Sequence, residues 1–188
     1  MTGLVLRALF LGTRDEVQWA FIDGPQVFRP ELFKAFRDWL PVEDRHDPLA
    51  AYIQRLLDPA PDVHRPAAFV WSAYERILSE VVPSTAELPL TFPADARTPP
   101  TPILEAHYIA NDFFLKPGHV MANAARLSGI PCVIVQGRYD LLCPPHTAVN
   151  LVRRWPKARL DIVEGAGHAI TEAGVMEKLR TAIATMPG

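Results

Sequence analysis

Between Pro131 and Ala169 the apolar positions fall into two short β-branched runs separated by a stretch with helical spacing. The runs PCVIVQG (Pro131 to Gly137) and RLDIVEG (Arg159 to Gly165) predict buried parallel strands. Between them, PPHTAVNLVRRWP opens and closes on proline and predicts a crossover helix, so the unit is βαβ. The first strand is followed at once by Asp140, and the second leads into Ala166, Gly167 and His168. Groups just beyond the carboxyl ends of neighbouring parallel strands share one crevice. Asp140 and His168 are therefore expected to meet there, as an orienting acid and a base.

Upstream the pattern differs. Gly3 to Gly12 predicts another strand, and from Asp15 to about Pro117 the spacing becomes helical. Leu32, Phe33, Phe36, Trp39 and Leu40 share a face behind Pro30. Leu49, Ile53, Leu56 and Leu57 share another, behind Asp47 as N-cap and Pro48 in the first turn. Ala67, Val70, Trp71, Tyr74, Ile77, Leu78 and Val81 mark the longest helix, which carries Glu75. The stretch from Val82 to Pro102 holds six prolines and no sustained period, which predicts an irregular connector. A helix carrying Glu105, His107 and Tyr108 then runs towards Leu115, and His119 to Ser128 predicts another. The closing helix, Thr171 to Met186, has Val175, Leu179 and Ile183 as its apolar stripe. The expected class is α/β, with a parallel-sheet core from residues 1–14 and 118–188 and a helical insertion over 15–117.

Composition narrows the function. Hydrophobic residues make up 49% and charged residues 21%, as in ordinary globular chains. A net charge of -2 supplies neither a basic stripe for nucleic acid nor a polybasic membrane anchor, so the expected partner is a small molecule or peptide. Cys132 and Cys143 are too few for a disulfide framework, and no metal-binding cluster is spaced along the chain; a reduced, cytoplasmic setting is expected. The opening MTGLVLRALFLGT lacks a basic n-region and has Arg7 inside its apolar run, unlike a signal peptide.

The motifs LVLRALFL, AAFVWSAYE, ILEAHYIAND, IVQGRYDLLCPP and EGAGHA, in that order, span nearly the whole chain. In them the sequence resembles the C-terminal portion of proline iminopeptidases, serine aminopeptidases of the α/β-hydrolase superfamily. In that fold the acid precedes the histidine and the nucleophile precedes both. The resemblance implies that Asp140 is the triad acid and His168 the general base. It also implies that Glu75 and Glu105 are cap carboxylates holding the free imino group of a peptide with N-terminal proline. The chemistry agrees, since a terminal proline nitrogen is cationic and two carboxylates give it charge-assisted hydrogen bonds. Trp71, Tyr74 and Tyr108 lie close to these acids in sequence and are expected to wall a slot for the ring. No cofactor or metal is implied.

No GxSxG occurs in the 188 residues, and Ser72, Ser79, Ser84 and Ser128 lack the glycines of a nucleophile elbow. In the family, the serine elbow and a glycine-rich oxyanion loop precede the strand that opens this sequence. The chain is accordingly expected to be the portion after the nucleophile, inactive alone because loss of the nucleophile costs several orders of magnitude in rate. Two other readings stand beside this one: another capped α/β-hydrolase of esterase or epoxide-hydrolase type, and a non-catalytic remnant or binding fragment. An open edge on the first strand is expected to favour self-association. Cys143 reads as a small buried hydrophobe.

Overall fold

The computed structural model describes residues 2–89, 91–92 and 96–186. Three parallel strands, β1 (Leu4–Arg7), β2 (Cys132–Gly137) and β3 (Ala158–Val163), form a sheet in the order β1-β2-β3. Leu4 pairs with Cys132, and Cys132 with Ala158, so the strands start level and their carboxyl ends open on one side. β2 is central and buried along its whole length. Its alternate residues feed two apolar clusters, because successive side chains of a strand point to opposite faces. Cys132 and Ile134 meet Ala148, Leu151 and Trp155, and Val133 and Val135 meet Val163, Val175 and Ala182.

The helices between β1 and β2 are α1 (Arg14–Gln18), α2 (Gly24–Phe28), α3 (Pro30–Asp38), α4 (Pro48–Leu56), α5 (Pro61–Ser79), α6 (Pro100–Ala110) and α7 (His119–Asn123). After β2 come the crossover helix α8 (Pro145–Val152) and, beyond β3, the closing helix α9 (Val175–Thr185). The sequence of α5 explains its length. Pro61 and Asp62 suit its first turn, and its buried residues Ala67, Val70, Trp71, Tyr74, Ile77 and Leu78 recur at helical spacing. They build a third core with α3 and α4, in which the Phe36 ring is stacked between Tyr52 (4.0 Å) and Tyr74 (3.8 Å). Parts of the proline-rich connector, residues 90 and 93–95, lie outside the described residues; its other residues before Pro100 form neither helix nor strand.

Six elements differ from the periodicity. α6 stops at Ala110, before the left-handed residues 112–114, and the helix expected over His119 to Ser128 is α-helical only to Asn123, before a 3₁₀ turn. The first strand stops at Arg7 because Ala8 takes a left-handed backbone (φ 49°). Beyond it Leu9 N–H turns to the Gln136 side chain (3.2 Å) and Leu11 N–H to the Glu16 carboxylate. The buried face of α4 is Ala51, Tyr52 and Leu56, with Leu57 exposed, because Tyr52 stacks on Phe36 and donates its hydroxyl to the Phe36 carbonyl (2.8 Å). In α9 the small Ala182 lies against the sheet and Ile183 is 65% exposed. α5 ends at Ser79, before Val81, whose N–H is taken by Glu172.

Candidate active site

Two secondary-structure systems meet at one cavity of about 420 Å³, lined among others by Glu75, Glu105, Tyr108, Cys143 and His168, with Asp140 buried behind the histidine. From the sheet, the turn after β2 presents Asp140 and the loop after β3 presents His168. The Asp140 side chain is fully buried, and the His168 side chain is 21% exposed. His168 Nδ1 lies 3.1 Å and 3.2 Å from the two Asp140 oxygens. With Nδ1 turned to a carboxylate, the favoured tautomer carries its proton there and leaves the Nε2 lone pair free to accept another.

Asp140 is fixed by more than the histidine. Cys143 N–H donates to Oδ1 (2.8 Å) and Gln136 Nε2 donates to Oδ2 (2.9 Å). Gln136, itself buried in β2, also donates to the Cys143 carbonyl (2.8 Å) and accepts from Leu9 N–H. Every polar atom of this amide is thus spent on holding the acid and the turn, as a buried polar group requires. Arg7, at the end of β1, donates through its guanidinium to the His168 carbonyl. Neither Gln136 nor Arg7 is among the site residues that the sequence points to. Their signal is a polar or charged residue inside a strand-like apolar run.

From the helices, α5 supplies Glu75 and α6 supplies Glu105, and the two carboxyls are near enough to couple to each other. Trp71 Nε1–H donates to Glu105 Oε2 (2.8 Å). Burial, followed by the neighbouring Glu105 charge, pushes the Glu75 carboxyl up to about 8. Burial also raises Glu105, opposed by the Trp71 donor, Glu75 and the nearby His168. Two like charges held this close favour a proton between them.

The expected slot residues divide. Tyr108, 48% exposed, does line the cavity. Trp71 and Tyr74 do not: both are fully buried behind it. Trp71 packs on Phe21 (ring centroids 4.3 Å apart), and the Tyr74 hydroxyl donates to the Phe21 carbonyl (3.0 Å). Phe21 is the aromatic wall that these two support, joined at the rim by the edge-to-face pair Phe10 and Phe113. Phe21 lies in a π-helical turn, Trp19–Asp23, whose wider spacing conceals it from a search for 3.6-residue periodicity.

A carboxylate oxygen of Asp140, Cys143 Sγ and a ring nitrogen of His168 lie within 4.8 Å of one another. A cation held there would have to replace the hydrogen bonds on Asp140 and ionise a thiol that burial and the Asp140 charge push strongly up. None of the four serines lines the cavity. No helix among the described residues is long and apolar enough to cross a membrane.

No protein-family model matches the sequence. Curated relatives do. A probable proline iminopeptidase of Leptolyngbya boryana is 34% identical over 94% of this chain and 55% of its own length. A proline iminopeptidase of Arabidopsis thaliana is 34% identical over 95% of this chain and 47% of its own. The chain therefore spans about half the length of the curated relatives it matches. Among solved structures, an alpha/beta fold family hydrolase from Bacillus anthracis superposes with a TM-score of 0.54 at 13% identity, covering 98% of this chain and 58% of that one. The fold is thus that of part of an α/β-hydrolase.

Proposed function

Taking as premise that the chain is related to proline iminopeptidases along nearly its whole length, we propose that it supplies the base, the orienting acid and the substrate anchor of an enzyme that releases N-terminal proline. The observation that carries this reading is that a half-buried carboxyl pair and the histidine of an acid–histidine pair line one largely apolar cavity. Ester or epoxide hydrolysis does not of itself require a carboxyl pair such as Glu75 and Glu105. A terminal imino cation does, because its charge replaces the proton that the pair otherwise needs.

In the complete reaction, His168 Nε2 takes the proton of a serine hydroxyl as its oxygen attacks the prolyl carbonyl. Asp140 keeps the imidazole in the required tautomer and stabilises the imidazolium. The same proton passes to the departing peptide nitrogen as the carbon–nitrogen bond breaks, leaving a prolyl ester on the serine. Water, deprotonated by His168, then hydrolyses the ester to free proline and restores the serine. The serine and the oxyanion donors belong to a part of such a hydrolase that these residues do not include. The chain alone is accordingly expected to bind without cleaving. Residues 1–14 and 118–188 act here as catalytic core and 15–117 as cap. The outer edge of β1, which has no strand partner among the described residues, suits a further parallel strand or a second copy of the chain.

Binding tests the proposal without needing a nucleophile. L-prolinamide is expected to bind the chain at least about tenfold more tightly than N-acetyl-L-prolinamide, which has no cation, as charge-assisted hydrogen bonds warrant. Glu75→Gln should abolish the preference. Equal affinity for the two amides in the parent chain would remove the aminopeptidase reading.

A further inference from the structure

The helix that carries Glu75 and the loop that carries His168 are bonded directly to each other. We infer that Glu172 and Gly167 are positioning residues of this junction, which fixes the base relative to the substrate anchor. The inference rests on reading the Glu75–Glu105 pair as that anchor.

α5 ends one turn beyond Glu75, and the last residues of a helix leave carbonyls without partners inside it. Here the Ser79 carbonyl accepts two bonds from the histidine loop, His168 N–H and Ala169 N–H, each 2.8 Å. The chain then turns extended at Glu80, and Val81 N–H donates to Glu172 Oε1 (2.7 Å). Glu172 is itself tied back into the loop through its own N–H, which donates to the Ala169 carbonyl (3.1 Å). Arg29, at the head of α3, donates to the Val81 carbonyl (3.0 Å) and holds this corner from the helical side. On the sheet side the Arg7 guanidinium takes the His168 carbonyl. The backbone of the base is therefore held at its N–H by the helical layer and at its C=O by β1.

Gly167 makes the close approach possible. A Cβ there would stand 2.9 Å from the Ser79 oxygen and 3.3 Å from both Val81 N and a Val81 methyl. A side chain would force the end of α5 off the loop. With glycine, the route from Glu75 to His168 runs along one turn of helix and across a single hydrogen bond, with no loose segment in it. An enzyme that removes one residue needs this, because the distance from the cation to the scissile carbonyl is set by that residue alone, and misplacement by an ångström is costly.

The experiment uses the chain with ¹⁵N-labelled histidine, His168 being assigned with a His168→Gln variant, and reads the His168 ring signals together with L-prolinamide affinity. Glu172→Ala leaves Val81 N–H without its partner, Glu172→Gln keeps an oxygen to accept it, and Gly167→Ala pushes the junction apart. Glu172→Ala and Gly167→Ala are expected to move the His168 Nδ1 and Nε2 signals and to weaken prolinamide binding by about tenfold, the scale of one lost buried hydrogen bond. Glu172→Gln should match the parent in both. If Gly167→Ala does not fold, the two Glu172 variants decide. A folded Glu172→Ala chain with parental His168 signals overturns the inference, as does a Glu172→Gln chain that behaves like Glu172→Ala. If the parent itself binds no prolinamide, the anchor reading falls, and the His168 signals still decide on the junction.

Discussion

Two pairs of titratable groups serve the cavity, and their surroundings are built on opposite terms. Glu75 and Glu105 line it with His168, and Asp140 is buried behind the histidine. Asp140 and His168 are complementary: the carboxylate receives donors from the histidine, Gln136 and Cys143, and stands on the turn after a fully buried strand. Glu75 and Glu105 are alike, sit on two helices, and have Trp71 as the one donor to either carboxyl among the other described side chains. The first pair is complete as it stands. The second is complete only with a proton or a cation between its members. A site satisfied in the free protein suits a residue that must keep one geometry through a reaction. A site left needing positive charge suits a residue that must recognise it.

The contrast breaks most severely at Trp71. Trp71→Ala removes a fully buried indole from the centre of the helical core and is expected to lower stability by about 3–5 kcal/mol in denaturant unfolding. Trp71→Phe keeps most of the volume and deletes the donor to Glu105. It should retain the fold while weakening prolinamide binding by about five- to tenfold, the scale of one hydrogen bond to a charged group. A Trp71→Phe chain with parental affinity would mean that the indole merely fills space.

The pH dependence sharpens the same contrast. Burial lifts Glu75 from an unfolded value of 4.5 to about 8, so between these values the folded chain holds a proton that the unfolded chain has lost. Stability from this group is fully present below pH 4.5 and falls as pH rises through 8. Glu75→Gln, whose amide imitates the protonated acid, should flatten that decline and be the more stable variant at pH 8.5 in chemical denaturation. A parent chain that gains stability over pH 5 to 8 relative to Glu75→Gln would contradict the shared proton. The smallest expected effect is at the other pair. Asp140→Asn should change prolinamide affinity by less than about twofold, since it removes no group of the anchor, while costing about 1–3 kcal/mol of stability through the donors it leaves mismatched.

Much of this was legible in the chain. The two strand runs, the crossover between its prolines and the positions of Asp140 and His168 follow from period and punctuation, because parallel strands bury both faces and place loop residues at one edge. Glu75 and Glu105 could be named as candidates through resemblance, yet nothing in a helical repeat says that two solvent-type residues will meet in one largely apolar cavity. Trp71 and Tyr74 were expected beside the slot since they neighbour Glu75 in sequence. On a helix, however, Tyr74, one position away, is turned by about 100° from Glu75, while Trp71, one turn back on the same face, sits deeper, in the core behind Phe21. Ile183 and Leu57 are not core positions for separate reasons: the small Ala182 takes the place against the sheet, and Leu57 lies just past the last residue of α4. Gln136 and Arg7 went unrecognised because a polar side chain within a strand states that it has a partner without saying which.

Calorimetry of L-prolinamide binding to the chain at pH 7, repeated in two buffers of different ionisation enthalpy, addresses the Glu75–Glu105 pair most directly. If a cation replaces the proton the pair shares, each ligand bound should release about one proton, as a group titrating near 8 requires at that pH, and Glu75→Gln should release none. Binding in the parent chain with no proton release would contradict the cation anchor.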